Sequence, residues 1–221
     1  MKEQYLNADN IEKKTAQFLD MTLQHRKIRK FALPPGRSAL LVLDMQNFFT
    51  RPDSHAFVPS SPFIIKAIND LIELFEKRNF PVVFSIHTNS PHNAGMMARW
   101  WRDMIDSISH GAAINDNIHI PENSYKTEKH QYSAFFDTEL YDILNKEKAE
   151  SIIITGVMTH LCCDATAREG FMHGFAPVMV ADACASYNEE LHAASLIALS
   201  HGFAQITDSK TIIQQINAQK I

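Results

Sequence analysis

Apolar residues in this chain alternate between short unbroken runs and stretches in which they recur every three or four positions. Residues 39–43, 81–86, 152–154, 177–181 and 203–206 are runs with scarcely a charge, the pattern of strands buried on both faces of a sheet. The intervening stretches read as amphipathic helices. Over residues 9–26, Ile11, Phe18, Leu19 and Leu23 form a docking face behind Asp9 as N-cap, facing either the chain's own body or another subunit. After Ser61-Pro62 come Ile64, Ile65, Ile68, Leu71, Ile72 and Phe75, and Met97, Trp100, Trp101, Met104, Ile105 and Ile108 recur at the same spacing. Leu140, Ile143 and Leu144 mark a helix after Asp137, and residues 188–200 and 208–217 mark two more. Pro34-Pro35-Gly36 punctuates the chain before the first strand, and the polar passage 110–128 leads to a short strand near residues 125–129. Strands alternating with helices predict a parallel sheet covered on both faces.

Residues 152–168 change character within a few positions. A β-branched run breaks at Gly156 and becomes helix-compatible sequence carrying Thr159, Cys162 and Cys163, ending near His173 with Gly174 as a left-handed cap. A strand–turn–helix passage in an open parallel sheet lies at the carboxyl edge, where ligands bind. A thiol there meets free backbone N–H groups and the positive helix end, and both favour a thiolate. Polar residues that close other strands reach the same crevice: Asp44, His87 and Lys129 join Cys162. An acyl-transferring thiol needs a base, a cation and oxyanion donors, and Asp44, Lys129 and the turn's N–H groups supply them. Taken alone, each has a plainer reading: helix cap for Asp44, solvated loop lysine for Lys129, small buried hydrophobe for Cys162.

Length and charge narrow the classes. With 221 residues, 45% of them hydrophobic, one core is enough. A net charge of −4 leaves no surplus for nucleic acid, and the cluster from His25 to Lys30 is a short solvated face. No run approaches the ~20 apolar residues of a membrane span and no signal peptide opens the chain. Three cysteines, two of them adjacent, make no disulfide framework and point to a reducing cytoplasm. Cys163 and Cys184 read as core.

Three motifs, in this order, resemble the isochorismatase-like cysteine hydrolases: Leu43-Asp44-Met45-Gln46-Asn47-Phe48-Phe49, Lys129 through Leu140, and Thr155-Gly156-Val157-Met158-Thr159-His160-Leu161-Cys162. The resemblance spans about residues 38–210. It implies a three-layer Rossmann-like α/β fold with a six-stranded parallel sheet (residues 38–221) behind an N-terminal helical extension (1–37). It also implies an Asp44-Lys129-Cys162 triad: base and later acid, thiolate and oxyanion stabiliser, and nucleophile. A cis peptide between Val157 and Met158 is implied too, turning the Met158 and Cys162 N–H groups toward an oxyanion. Phe48, Phe49, Tyr132 and Phe135 flank motif residues and are expected in the pocket with His87, Trp100 and His160.

Nicotinamidases of this family hold a metal through Asp and His. Here Asp53 and His55 follow Asp44 too closely to align, so no metal and no cofactor are expected. Amide, carbamoyl or ureido hydrolysis through a thioester is the activity implied. The rivals are isochorismatase chemistry, which needs no thiol, and a catalytically silent binding protein. Family members are commonly homo-oligomers acting on small molecules.

Overall fold

The computed structural model describes residues 1–26 and 37–219. Pro34-Pro35-Gly36 and residues 27–30 of the basic cluster lie outside the described residues. Six strands form one parallel sheet: β1 Ser38–Leu43, β2 Val82–His87, β3 Tyr125–Lys129, β4 Ser151–Val157, β5 Ala176–Ala185 and β6 Gln205–Thr207, in the order β3-β2-β1-β4-β5-β6. The chain winds outward from β1 to β3, then crosses over to β4 and winds the other way. The carboxyl ends of β1 and β4 therefore flank the point where strand order reverses, and a crevice opens there. β1 and β4 are buried at every position, as unbroken apolar runs require in a sheet covered on both faces.

Helices α1 Ile11–Arg26, α2 Asn47–Thr50, α3 Ser61–Lys77, α4 Met97–Trp100, α5 Leu140–Lys146, α6 Asp164–Met172, α7 Glu189–Gly202 and α8 Ser209–Ala218 complete the fold. Helix α3 buries Ile64, Ile68, Leu71, Ile72 and Phe75 along one face, with Pro62 in its first turn. Asn188 and Asp208 cap α7 and α8 by accepting the N–H groups of Leu191 and Thr211 at 2.9 and 2.6 Å. Gly174 closes α6 at φ +91°. Among the described residues no helix is long and apolar enough to cross a membrane.

Three expectations are corrected. Helix α1 is introduced by Asn7, whose Oδ1 accepts the N–H groups of Asp9 and Asn10 at 3.0 and 2.9 Å, so Asp9 is not the cap. Its buried face is Thr15, Phe18 and Thr22, docked on α7 and β5 of the same chain, while Leu23 faces out. The two threonine hydroxyls donate to Ile11 O and Leu19 O, so their burial leaves no donor unpaired. The apolar series from Met97 to Ile108 makes only the short α4. Trp101 is already extended, and Ile105 turns inward while its carbonyl accepts the Asn89 N–H at 2.8 Å. Trp100 and Ile108 are left 74% and 91% exposed, so no continuous stripe is buried to hold a longer helix.

Gly156 controls how closely the two central strands approach. It sits at φ +107°, and a Cβ there would lie 2.0 Å from Leu43 O, the backbone immediately before Asp44. We expect Gly156→Ala to cost about 4 kcal/mol or more, because both the backbone conformation and the close contact forbid it. Urea unfolding checks this; an unchanged midpoint would contradict it.

Candidate active site

Asp44 is the first residue past β1 and takes a left-handed backbone, φ +51°, a region that aspartate tolerates better than most residues. Its N–H faces β2, 3.3 Å from Ser85 O and 3.2 Å from Ser85 Oγ, and the Ser85 hydroxyl donates to Oδ1 at 2.6 Å. Lys129 ends β3, two strands away at ~4.8 Å per strand, and only a long side chain spans that gap. Its Nζ lies 2.8 Å from Asp44 Oδ2, and both side chains are fully buried. The same nitrogen donates to Gln131 O at 2.9 Å and to Cys162 Sγ at 3.3 Å, with His87 Nδ1 also at 3.3 Å. A buried ammonium is thus surrounded by acceptors, as a charge taken from water requires.

Cys162 lies in a π-helical turn, Thr159–Cys163, between β4 and α6. The Val157–Met158 peptide is cis. Helix α7 braces the turn, with the Ser195 hydroxyl near Thr159 O at 3.2 Å and Asp164 Oδ2 at 2.7 Å. His192 Nδ1 lies 2.8 Å from Thr159 Oγ1.

Burial, then the Asp44 carboxylate, push the Cys162 thiol up to about 12 against the pull of Lys129. Desolvation and a neighbouring anion thus oppose the thiolate that the sequence context favours, against one cation that supports it. Burial alone would push the Lys129 pKa down, but Asp44 and then Cys162 more than reverse this and leave it above its ordinary value. His87 is brought down to about 4 by burial and then by Lys129. Its ring is neutral: Nε2–H donates to Asn89 Oδ1 at 2.7 Å, which leaves Nδ1 as acceptor toward Lys129. His192, inside α7, is brought down to about 3 by burial and then by His160.

Both histidines fold neutral but bind a proton near pH ~6.5 when unfolded, so the unfolded chain takes up more protons as pH falls. Their contribution to stability is present above that pH and is lost on acidification toward the folded values. We expect about 3 kcal/mol of loss per histidine by pH 4, read from urea midpoints between pH 7 and 4. A flat midpoint would contradict it.

Above Cys162 lies a cavity of about 240 Å³ whose walls include Phe48, Phe49, His87, Trp101, Tyr132, Met158 and Tyr187. Of the residues expected in the pocket, Phe48, Phe49, His87 and Tyr132 meet here. Trp100, Phe135 and His160 lie off this cavity. Trp100 points to solvent, Phe135 is buried beside Phe175 and His173, and His160 is turned to Ser186 Oγ at 2.6 Å. Trp101 takes the place expected of its neighbour, its Nε1–H donating to the Tyr132 hydroxyl oxygen at 2.9 Å.

Asp53 and His55 form no metal-binding pair. Asp53 faces Arg51 at 3.2 Å and His55 faces Asp103 at 3.3 Å, while both His87 ring nitrogens have partners. A family-type metal does not fit this donor set. Cys163 and Cys184 are buried and free.

Sequence reasoning missed Ser85, Gln46, Asn89 and Tyr187. Gln46 joins strand end to loop, accepting the His87 N–H at 2.8 Å and donating to His87 O and Ala112 O at 3.0 and 3.0 Å. Its place two residues after Asp44, inside the first motif, is the one signal that marked it.

A sequence model for the isochorismatase domain matches residues 38–211. Nicotinamidase 3 of Arabidopsis thaliana is 37% identical over 177 residues, 77% of this chain and 84% of that protein. The isochorismatase of Bacillus subtilis (strain 168) is 30% identical over 182 residues, 79% of this chain but only 57% of that longer protein. A cysteine hydrolase from Pseudomonas syringae pv. phaseolicola 1448A has the same fold, with a TM-score of 0.82 at 21% identity over 86% of this chain and 96% of that one. With these matches over most of its length, the chain belongs to the isochorismatase family of hydrolases.

Proposed function

We propose that the chain is a cofactor-independent cysteine hydrolase that cleaves the C–N bond of a small amide, carbamoyl or ureido compound through a thioester. The observation that carries this reading is one buried ammonium, 2.8 Å from the Asp44 carboxylate and 3.3 Å from the Cys162 sulfur. A resting thiol beside a carboxylate transfers its proton as attack begins, so charge develops on sulfur only as the bond forms. Lys129 stabilises that charge, and a group that acts mainly on developing charge lowers the barrier more than it strengthens ground-state binding.

In the first half-reaction Cys162 Sγ bonds to the carbonyl carbon while Asp44 takes the thiol proton. The oxyanion forms against the Met158 and Cys162 N–H groups. Collapse breaks the C–N bond as Asp44 returns the proton to the leaving nitrogen. Water then attacks the thioester, Asp44 takes its proton, the carbon–sulfur bond breaks, and the proton returns to sulfur. The sum is amide plus water giving acid plus ammonia or amine.

An apolar cavity of about 150 Å³ holds benzene, so 240 Å³ with aromatic walls suits a single ring or short acyl body beside the carboxamide. Buried, unpaired thiols suit a reducing cytoplasm, and the exposed Trp100, Met96 and Ile108 suit a contact in a homo-oligomer.

The test is product release from a panel of small carboxamides, carbamoyl and ureido compounds, with isochorismate alongside. The reading expects ammonia or amine from at least one class and no pyruvate. Pyruvate from isochorismate with every C–N compound inert would replace it with the vinyl-ether reaction.

A further inference from the structure

Residues 1–6 precede the segment matched by the family, yet they bond to two segments that carry walls of the cavity above Cys162. On one side the arm holds the segment ahead of α7. Glu3 N–H donates to Tyr187 O at 2.8 Å, Glu189 N–H donates to Glu3 Oε1 at 2.8 Å, and Ser186 N–H donates to the Tyr5 hydroxyl oxygen at 3.0 Å. The Lys2 ammonium also lies 4.4 Å from the centre of the Tyr187 ring.

On the other side the arm holds the segment ahead of α3. Lys2 Nζ donates to His55 O, and Ser60 Oγ accepts the N–H groups of Tyr5 and Leu6 at 3.1 and 3.1 Å. His55, Ala56 and Tyr187 are walls of the cavity. They come from loops far apart in sequence, and the arm is bonded to both. Tyr5 and Leu6 are buried, so the clasp is anchored rather than draped over the surface.

We propose that residues 1–6 form a strap that sets the width of the substrate cavity, with Lys2 and Tyr5 as positioning residues acting through His55 and Tyr187. A wall built from two loop side chains is only as well placed as the loops, and the strap removes their freedom to part. The strap favours single-ring or short acyl bodies and excludes two-ring ones. This rests on the reading that the cavity above Cys162 is the substrate site.

The experiment compares labelling of Cys162 by iodoacetamide and by N-(1-naphthyl)iodoacetamide, localised by mass spectrometry. It uses the wild type, a variant lacking residues 1–6, and Tyr5→Phe combined with Lys2→Met. The last variant keeps the Tyr5 ring against Phe18 and His192, at 6.3 and 5.4 Å, and removes only the Lys2 ammonium and Tyr5 hydroxyl ties, so it tests the two positioning residues where the deletion fails to fold. The naphthyl-to-acetamide rate ratio should rise about tenfold in the variants, the lower end of what pocket shape discriminates. For amide turnover, the same variants should lower KM for a two-ring amide relative to a one-ring amide and leave the pH profile in place.

A ratio within twofold of wild type, in a variant with wild-type unfolding behaviour, overturns the strap. Labelling reads access to the thiol and not turnover. A flat ratio in an active amidase therefore defeats the strap alone, and a shifted ratio with no amide turned over defeats the hydrolase reading alone.

Discussion

The Cys162→Ala variant is expected to lose amide turnover by about 10⁴-fold or more while binding the same amide within about threefold of wild type. Alanine removes one sulfur from a buried position at the base of the cavity and leaves its aromatic walls intact. Lys129 loses a partner at 3.3 Å but keeps Asp44, Gln131 O and His87, so the charge network survives. The missing sulfur forms no bond to substrate in the ground state and a covalent one in the intermediate, so the loss falls on kcat. Ammonia release and titration calorimetry separate the two quantities. Turnover retained in this variant would mean that Asp44 activates water directly, with no thioester.

Lys129→Met is expected to cost about 3–5 kcal/mol of stability together with about 10³-fold or more in kcat/KM. Methionine roughly fills the space but leaves a buried carboxylate with no cation. Asp44 Oδ2 has no hydrogen-bonding partner among the described residues apart from its contact with the ammonium, and Gln131 O loses its donor as well. Because Lys129 helps hold the His87 pKa down, the same change should move that pKa back up. Urea unfolding gives the first effect, kinetics the second, and imidazole NMR titration the third. A stability loss below about 1 kcal/mol would show that the pair is dispensable to the fold, contrary to the cost of an unpaired buried charge.

The parts of the fold that periodicity made legible were those whose burial is complete. β1 and β4 bury every side chain, and α3 buries a full stripe, so their sequences carry unbroken runs or clean helical spacing. The stretch from Met97 to Ile108 has the same spacing without the burial. What decides it is the extended backbone at Trp101 and the bond from Asn89 to Ile105 O, neither of which leaves a periodic trace.

Strand ends identified Asp44, His87 and Lys129, and the turn after β4 identified Cys162, because the topology of a parallel sheet sends such positions to one edge. The sequence did not disclose the upward push on the thiol, since that comes from the burial of the π-helical turn and from Asp44 brought in from another strand. Nor did it disclose Tyr187 or His55 as walls, since both are placed by loops and by an arm from the far end of the chain.

The claim that matters most is the covalent intermediate, and partitioning by hydroxylamine tests it most directly. An amide that the protein hydrolyses and the ethyl ester of the same acid would each be turned over in the presence of hydroxylamine, and the ratio of hydroxamate to free acid measured. A shared Cys162 thioester predicts the same ratio from both compounds, because the leaving group has departed before the nucleophiles compete. Different ratios, or turnover with no hydroxamate from either compound, would contradict a common acyl-enzyme.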